Sequence, residues 1–563
     1  MARNPLQSGY KWLCLMTLVI IQGCATYGTD VRDVLADVRQ GDWIASESTL
    51  KKTLSSSGDD RLLYFLELGV IKHLQGDYVS SNQLLDSAED IAESLETVSL
   101  TGKFFELLSN PRQGAYEGTT HEKLYLNYFK ALNYIAIAQQ AKNHNARLDA
   151  LDGARVEIRR MNIRLSSLND KEGDYQQHEE DKEQVSYKVF NIFNKLNGNV
   201  NPDDFRFRDD ALAHYLAGVT YEMNGELDDA RISYLKAAEA YEGGYVKQFR
   251  LDPVMVEQAW FDTIRVMRQA GGYETQWPRL ARQKLSSAKR DELTAWDGKA
   301  QLLVIEHKGL APELKEMSLE LWSNPTLRGF QLQPYVGYED KDALAWFYLL
   351  YADKGAYKAL TAFLNGERLP EFYDPFTKTI LLGPAWSAVQ KMGLDQAVGN
   401  SLRITVPYYS VPEVMGESTL SLSGSSDPTP VRLYKAASPA QLGIQERMVN
   451  ANGDVHQALT RSAAKLLTAQ AFGLADSKGE SGSLLALAGK LATQLTEASE
   501  TRSWLLLPND IRIRRLALEP GEYQLQLSSS MAPGQQVQKQ TSKQLKANDI
   551  AIWQVRSLPG QTQ

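Results

Sequence analysis

Asp210 to Tyr241 reads DALAHYLAGVTYEMNGELDDARISYLKAAEAY, and its spacing decides how the first half of the chain is built. Gly218 precedes Tyr221 by three residues, Gly225 stands seven after Gly218, and Ala230, Tyr234 and Ala237 follow at fixed offsets. Each position has a physical reason. Small residues at Gly218 and Ala230 let two antiparallel helices approach, Gly225 makes the turn between them, and Tyr221 and Tyr234 fill the space that remains.

The same register fits Leu62 to Ala92, with Phe65, Leu68, Gly69, a turn at Gly76-Asp77-Tyr78, then Ser81, Leu85 and Ala88. Gly69 to Ser81 and Gly218 to Ala230 are both twelve-residue steps. A partial match, Gly41-Asp42-Trp43 with Leu50 behind it, lies thirty-five residues before Gly76, close to the ~34-residue tetratricopeptide period. Leu124 to Met161 reads as a further helix pair with a longer connection. Met255 to Lys284 reads as a fifth, with Trp260, Val266, the turn Gly271-Gly272-Tyr273 and Leu280. A hairpin alone leaves an apolar face exposed, so neighbours are expected to stack into a curved superhelix with a concave groove.

Proline separates this half from the next. Between Val31 and Arg250 there are only Pro111 and Pro202, whereas Leu251 to Gln563 holds seventeen of the chain's twenty. An interior proline costs a helix ~3 kcal/mol, so only the first half can be continuously helical. Asn169 to Glu183 is a polar, mainly acidic run that reads as a solvated helix extension or linker, because His178 has no periodic ligand partner.

From Lys299 the pattern changes. Leu302 to Glu306 (LLVIE) reads as a buried strand, Arg403 to Tyr409 as a second strand edged by Pro407, and Thr419 to Ser423 and Val431 to Tyr434 as shorter ones. Val455 to Phe472 and Leu484 to Ala498 carry apolar positions three and four apart and read as helices. Ile511 and Ile513 alternate with arginines, Leu516 and Leu518 continue the stretch, and Tyr523, Leu525 and Leu527 alternate with glutamines. Glu519-Pro520-Gly521-Glu522 joins them as a type II turn, and Ile550 to Val555 is a last strand. The expected fold class is α+β: an N-terminal all-α tetratricopeptide-like repeat superhelix over residues 24–290, then a mixed β-rich C-terminal region with packed helices over 299–563.

Residues 1–23 read as an export signal. Arg3 and Lys11 precede the apolar run Trp12 to Ile21, with no acidic residue among them. Ten residues are too few for a bilayer span, which needs ~20. Ile21-Gln22-Gly23-Cys24 follows at once and resembles the lipobox of bacterial lipoproteins, although Gln22 stands where a small residue is usual. An ordinary secretory signal with a chance cysteine is the alternative. The resemblance implies a diacylglycerol thioether on Cys24, cleavage after Gly23 and acylation of the new N-terminus by a chain such as palmitate. Anchoring by two or three chains is stable where one alone, at ~0.8 kcal/mol per buried methylene, is marginal. Ala25 stands where an aspartate would mark inner-membrane retention, so the resemblance implies the outer membrane, with the protein facing the periplasm.

Composition narrows the partners. The two cysteines are Cys14 and Cys24, which leaves the processed chain no thiol for a disulfide, a cysteine metal site or a cysteine nucleophile. Loss of residues 1–23 removes two cations and no anion, taking the net charge from −8 to −10. Nucleic acid is therefore not an expected partner, since phosphate binding rests on neutralisation by lysine and arginine.

The sequence also resembles, in order and over most of its length, a family of uncharacterised bacterial lipoproteins that combine tetratricopeptide-like repeats with a C-terminal β-containing region. The residues that carry the likeness are Gly153 to Asn162 (GARVEIRRMN), Leu303 to Pro312 (LVIEHKGLAP), Arg403 to Pro407 (RITVP), and Thr501 to Trp504 leading into Leu507-Pro508. The resemblance implies placement and architecture and no reaction. Arg155, Arg159 and Arg160 near Glu157 read as a salt-bridged helix face, with a basic binding patch as the alternative. Trp504 reads as a core aromatic.

No nucleophile elbow, phosphate loop, dinucleotide fingerprint or paired-histidine zinc motif occurs. Gly479 to Ser483 lacks the second glycine of an elbow. The seven histidines never stand three or four apart, and His214 reads as a packed repeat position. No cofactor, metal or catalytic residue is expected. The functional expectation is a lipid-anchored scaffold that binds another envelope protein, in peptidoglycan synthesis or surface polymer assembly, since repeat grooves hold helices or extended peptides. The alternative is a glycan-binding or peptidoglycan-cleaving lipoprotein, which would need Trp or Tyr lining a groove with carboxylates across it.

Overall fold

A computed structural model describes residues 27–96, 112, 114–172, 208–335, 340–351, 377–391, 395, 398, 402–410, 412–413, 415–423, 430–451, 454–455, 458, 498–531 and 534–560. The apolar leader, Cys24, most of the acidic run 169–183 and most of the helices expected at 455–472 and 484–498 lie outside the described residues. The protein is about 53% helical and 23% strand, with helices in the N-terminal half and sheets in the C-terminal region. Such segregation, without βαβ alternation, makes the fold α+β.

The helices run α1 Arg32–Gln40, α2 Trp43–Thr53, α3 Arg61–Leu74, α4 Tyr78–Glu96, α5 Thr120–Gln140, α6 His144–Glu172, α7 Ala211–Met223, α8 Leu227–Ala240, α9 Val254–Ala270, α10 Trp277–Lys284 and α11 Ser287–Ala295. The turns of three pairs are alike: Gly41, Gly76 and Gly225 sit at φ 78°, 79° and 76°, a left-handed conformation that glycine adopts without steric cost. The aspartates that follow start the next helix, Asp42 Oδ1 accepting from Ala45 N and Asp77 Oδ1 from Ser80 N. Two further glycines set the close approach. A Cβ on Gly69 would lie 2.7 Å from Leu85 Cδ2, and one on Gly218 would lie 2.5 Å from the Tyr234 ring.

The connection between α5 and α6 is shorter than expected, only residues 141–143. Asn143 Oδ1 accepts from Ala146 N at 2.8 Å, so the second helix begins at His144 instead of near Ala150. α11 carries no apolar stripe that would have marked it; Leu293 is its buried residue.

The strands are β1 Ala300–Lys308, β2 Leu314–Asn324, β3 Gly329–Pro334, β4 Lys378–Leu381, β5 Leu402–Tyr409, β6 Ser418–Ser423, β7 Val431–Arg432, β8 Tyr434–Ala437, β9 Asp510–Leu518, β10 Gly521–Ser530, β11 Gln536–Leu545 and β12 Ile550–Ser557. They form three four-stranded sheets in the orders β12-β1-β9-β8, β11-β10-β6-β7 and β4-β3-β2-β5. β1 pairs parallel with β12 and antiparallel with β9. Both its faces are covered, which is why Leu302 to Ile305 are apolar without alternation. Leu303 and Ile305 pack with the helices, while Leu302 and Val304 pack with Leu420, Leu525 and Leu527 of the second sheet. The first sheet is thus the middle of three layers. The third sheet has its own core, closed by Trp346 and Phe347 of a helix Lys341–Leu350 and by Ile444 and Met448 of a helix at 439–451.

Two strand readings change. Pro520 and Gly521 do turn the chain, but β9 and β10 do not pair with each other; β9 lies between β1 and β8, and β10 between β11 and β6. Leu516 and Leu518 meet Tyr523 and Leu525 in one core between the sheets, face to face, which side-by-side pairing would prevent. Val431 to Tyr434 also splits, since Val431 pairs with Leu420 of β6 and Tyr434 with Ile513 of β9.

The largest apolar cluster runs through both halves. It joins Leu63, Phe129, Leu216 and Ile264 of the helices to Ile305, Leu442, Trp504, Ile513 and Ile552 of the C-terminal region.

Candidate functional site

The first helix of each central pair is almost wholly buried, α7 along every residue from Ala211 to Glu222, because it packs on its partner helix on one side and on the C-terminal region on the other. The inner surface so formed holds a segment of the same chain. Residues 501–509 are buried throughout, and their backbone is received by carboxylates on the first helices of two neighbouring pairs. Leu505 N and Leu506 N donate to the two oxygens of Glu67 on α3, at 2.9 and 3.1 Å, and Trp504 N donates to Glu122 on α5 at 2.7 Å. Burial pushes the Glu67 carboxyl up to about 8, against the pull of these N–H groups and of the Tyr27 hydroxyl. Arg502 pairs with Asp60 and Glu500 and donates to Gly114 O. The groove that repeat hairpins would offer to a peptide is occupied in cis along this stretch.

Further along the same surface, β9 contributes an arginine. Arg515, with no exposed side-chain surface, meets Glu222 of α7 at 2.8 Å and Asp262 of α9 at 3.2 Å. Arg265, also on α9, donates to both oxygens of Glu222 at 2.7 Å. Burial opposes ionisation of Glu222, and the two guanidinium groups override it, holding the carboxyl well below the usual range. Tyr215 and Tyr234 close the network through hydroxyls donated to Asp262 and Glu222. Every charge in it has a fixed partner, as buried ions require.

Glu222 and Arg265 of this network line a pocket of about 410 Å³ where α6, α9 and the turns before β1 and β12 come together. The size is ordinary for a small-molecule site, ~300–1,000 Å³. Its walls are mostly polar. Arg147 pairs with Asp549 at 2.8 Å, Arg268 with Asp297 at 2.5 Å, and Lys299 with Glu519. Trp296 supplies a half-buried ring that stacks edge-on against Phe261, with the Arg265 guanidinium 5.4 Å from its centroid. Gln269 and Asn548 carry exposed amides that form no side-chain hydrogen bond to the described residues.

Sequence reading did not find this pocket. Trp296-Asp297-Gly298 and Asn548-Asp549 each look like ordinary turns, with Gly298 and Asn548 at φ 73° and 57°, and only the β1–β12 pairing brings them together. Of the residues that were read, Cys24 lies outside the described residues. Arg155 pairs with Asp152 and Glu226, and Arg160 with Glu89 and Glu157, so these two belong to salt-bridged helix surfaces. Trp504 is a core residue 5.8 Å from the Phe129 ring, and His214 is buried beside Asp209. Among the described residues no group of three His, Cys, Asp or Glu is placed to hold a metal, and no helix is long and apolar enough to cross a membrane. Compared with protein-family models, with curated proteins and with solved structures, the chain matches none.

Proposed function

We propose that the protein is a lipid-anchored scaffold of the bacterial envelope, held through Cys24 to the periplasmic side of the outer membrane, with a tetratricopeptide-like helical array and no catalytic role. The observation that carries the reading is how soon the packed body begins after the cysteine. Tyr27 is 2% exposed, its hydroxyl donates to Glu67, and its N–H donates to Thr501 Oγ1. Two residues separate it from Cys24, a reach of ~11 Å at most, so an acylated Cys24 would seat the body directly on the headgroups.

The partner in this reading is another envelope protein, of a machine that makes peptidoglycan or assembles a surface polymer. It docks on the outer helices, because the inner surface is filled. Ile44, Val79, Ile163 and Ile232 stand exposed there, one on each of α2, α4, α6 and α8. Metabolic labelling with an alkyne palmitate tests the anchor: the wild type takes the label and fractionates with outer membrane, and Cys24→Ser loses both. An unlabelled wild type in the cytosol overturns it. In-cell crosslinking with mass spectrometry tests the partner, and recovery of no envelope protein counts against a scaffold.

A further inference from the structure

We propose that the pocket over Glu222 and Trp296 binds a neutral saccharide unit. The argument starts from charge. Arg147, Arg265, Arg268 and Lys299 all reach the pocket, and each already holds a carboxylate: Asp549, Glu222, Asp297 and Glu519 respectively. An anionic ligand would bring a further negative charge against these carboxylates, and a cationic ligand a further positive charge against the cations, with no unpaired countercharge to meet either. A polyhydroxylated, uncharged ligand does neither. Its hydroxyls donate to the spare lone pairs of Asp297 and Asp549 and accept from the spare N–H groups of Arg147 and Arg268.

The second step is geometry. The ion pairs already set Arg147 against Asp549 and Arg268 against Asp297 before any ligand arrives, which reduces the ordering that opposes binding. Planar carboxylate, guanidinium and amide groups each offer two parallel donors or acceptors, which match the adjacent hydroxyls of a sugar ring. Gln269 and Asn548 add amides with no competing side-chain partner among the described residues. Trp296 supplies a broad apolar surface, suited to the C–H face of a pyranose. A purely hydrophobic ligand would leave the polar walls unpaired, so the pocket selects against it.

Calorimetric titration of the purified full-length protein in detergent tests this. The probes are cellobiose, maltose, lactose and N,N′-diacetylchitobiose, with glucose 6-phosphate and inorganic sulfate as charged comparisons. At least one neutral disaccharide is expected to bind with a Kd below about 1 mM, and at least tenfold more tightly than either anion. Trp296→Ala is expected to weaken it tenfold or more. Because that ring also packs on Phe261, Gln269→Ala serves as the variant whose fold is not at stake, with a three- to tenfold loss. Binding of none of the four disaccharides, tighter binding of an anion, or full affinity in both variants overturns the proposal. None of these outcomes depends on whether Cys24 carries lipid.

Discussion

Arg515 on β9 and Glu222 on α7 meet at 2.8 Å with 0% and 4% of their side chains exposed, and through this pair the middle sheet is locked into the helical array. The pair is not isolated. The same guanidinium donates to the Tyr234 hydroxyl and to Gln301 Oε1, so one side chain from the second half satisfies groups on α7, α8 and β1. Breaking it differs from removing it cleanly, because the carboxylates stay behind in a dry site.

Replacement of Arg515 by methionine is therefore expected to cost about 3–5 kcal/mol, the usual range when one partner of a buried ion pair is deleted. Arg265 remains on Glu222, which favours the lower end, while Asp262 loses one of two guanidinium neighbours. Urea denaturation of wild type and Arg515→Met reads the difference. A loss under about 1 kcal/mol would mean that the network relaxes without its central cation.

Gly218→Ala is expected to destabilise by ~1–3 kcal/mol, the range for overpacking a tight core. The added methyl would stand 2.5 Å from Tyr234, whose ring cannot swing away while its hydroxyl is held by Glu222 and Arg515. Gly225→Ala is the comparison. No atom lies within 4 Å of that position, but its φ of 76° is strained for alanine, at ~1–2 kcal/mol. Thermal melts should place Gly218→Ala at or below Gly225→Ala; the reverse order would show that the helices can part at this contact.

These glycines also show how far the sequence was legible. Spacing alone located Gly69, Gly76, Gly218 and Gly225, because helix pairing and turn geometry are local requirements that leave a period. β1 and β12 were legible as apolar runs. β2 and β11 were not: β2 mixes Lys315 and Glu316 among its apolar residues, and β11 is an edge strand in which Val537 and Leu545 are the buried side chains. Which strand joins which sheet was illegible too, since Leu516 and Tyr523 alternate equally well as a hairpin and as two facing layers. The pocket was hidden for the same reason. Trp296 and Asn548 lie far apart in sequence, and only the pairing of β1 with β12 makes them neighbours.

The contact of His121 with Glu446 should make stability fall at alkaline pH. Glu446, from the helix at 439–451, accepts from Thr120 N and His121 N at the start of α5 and sits 2.7 Å from His121 Nδ1. Burial works against the imidazolium, but Glu446 overrides it with help from Glu122 and against Arg447, and His121 is raised above its usual value. Glu446 in turn, despite burial, is held at about 2 by His121. A raised histidine contributes stability that is complete below ~6.5 and is lost as pH climbs through its folded value. The advantage of wild type over His121→Gln should therefore be largest near pH 6 and shrink above it. Denaturant titrations at pH 6, 7, 8 and 9 read this, and an advantage that grows with pH would refute it.

Glu67 gives a second pH dependence, in a lower window and with a different control. Its carboxyl titrates at about 8 in the folded protein and at ~4.3 once unfolded. Between these values the folded chain keeps a proton that the unfolded chain releases, so wild-type stability falls as pH rises. Glu67→Gln abolishes that titration but has a fixed cost. The carboxyl receives Leu505 N on one oxygen and Leu506 N on the other. A glutamine can accept only one of them and turns its own N–H toward the second. An unpaired buried donor costs about 1–3 kcal/mol at every pH. Wild type should thus lead Glu67→Gln by that amount near pH 4, and above it the lead should shrink by about 1.4 kcal/mol per pH unit and reverse before pH 8, because the unfolded carboxyl ionises while the buried one keeps its proton. A lead that stays constant from pH 5 to pH 8 would mean that Glu67 is already charged at pH 5, and that the segment around Trp504 is held by a carboxylate rather than by a carboxylic acid.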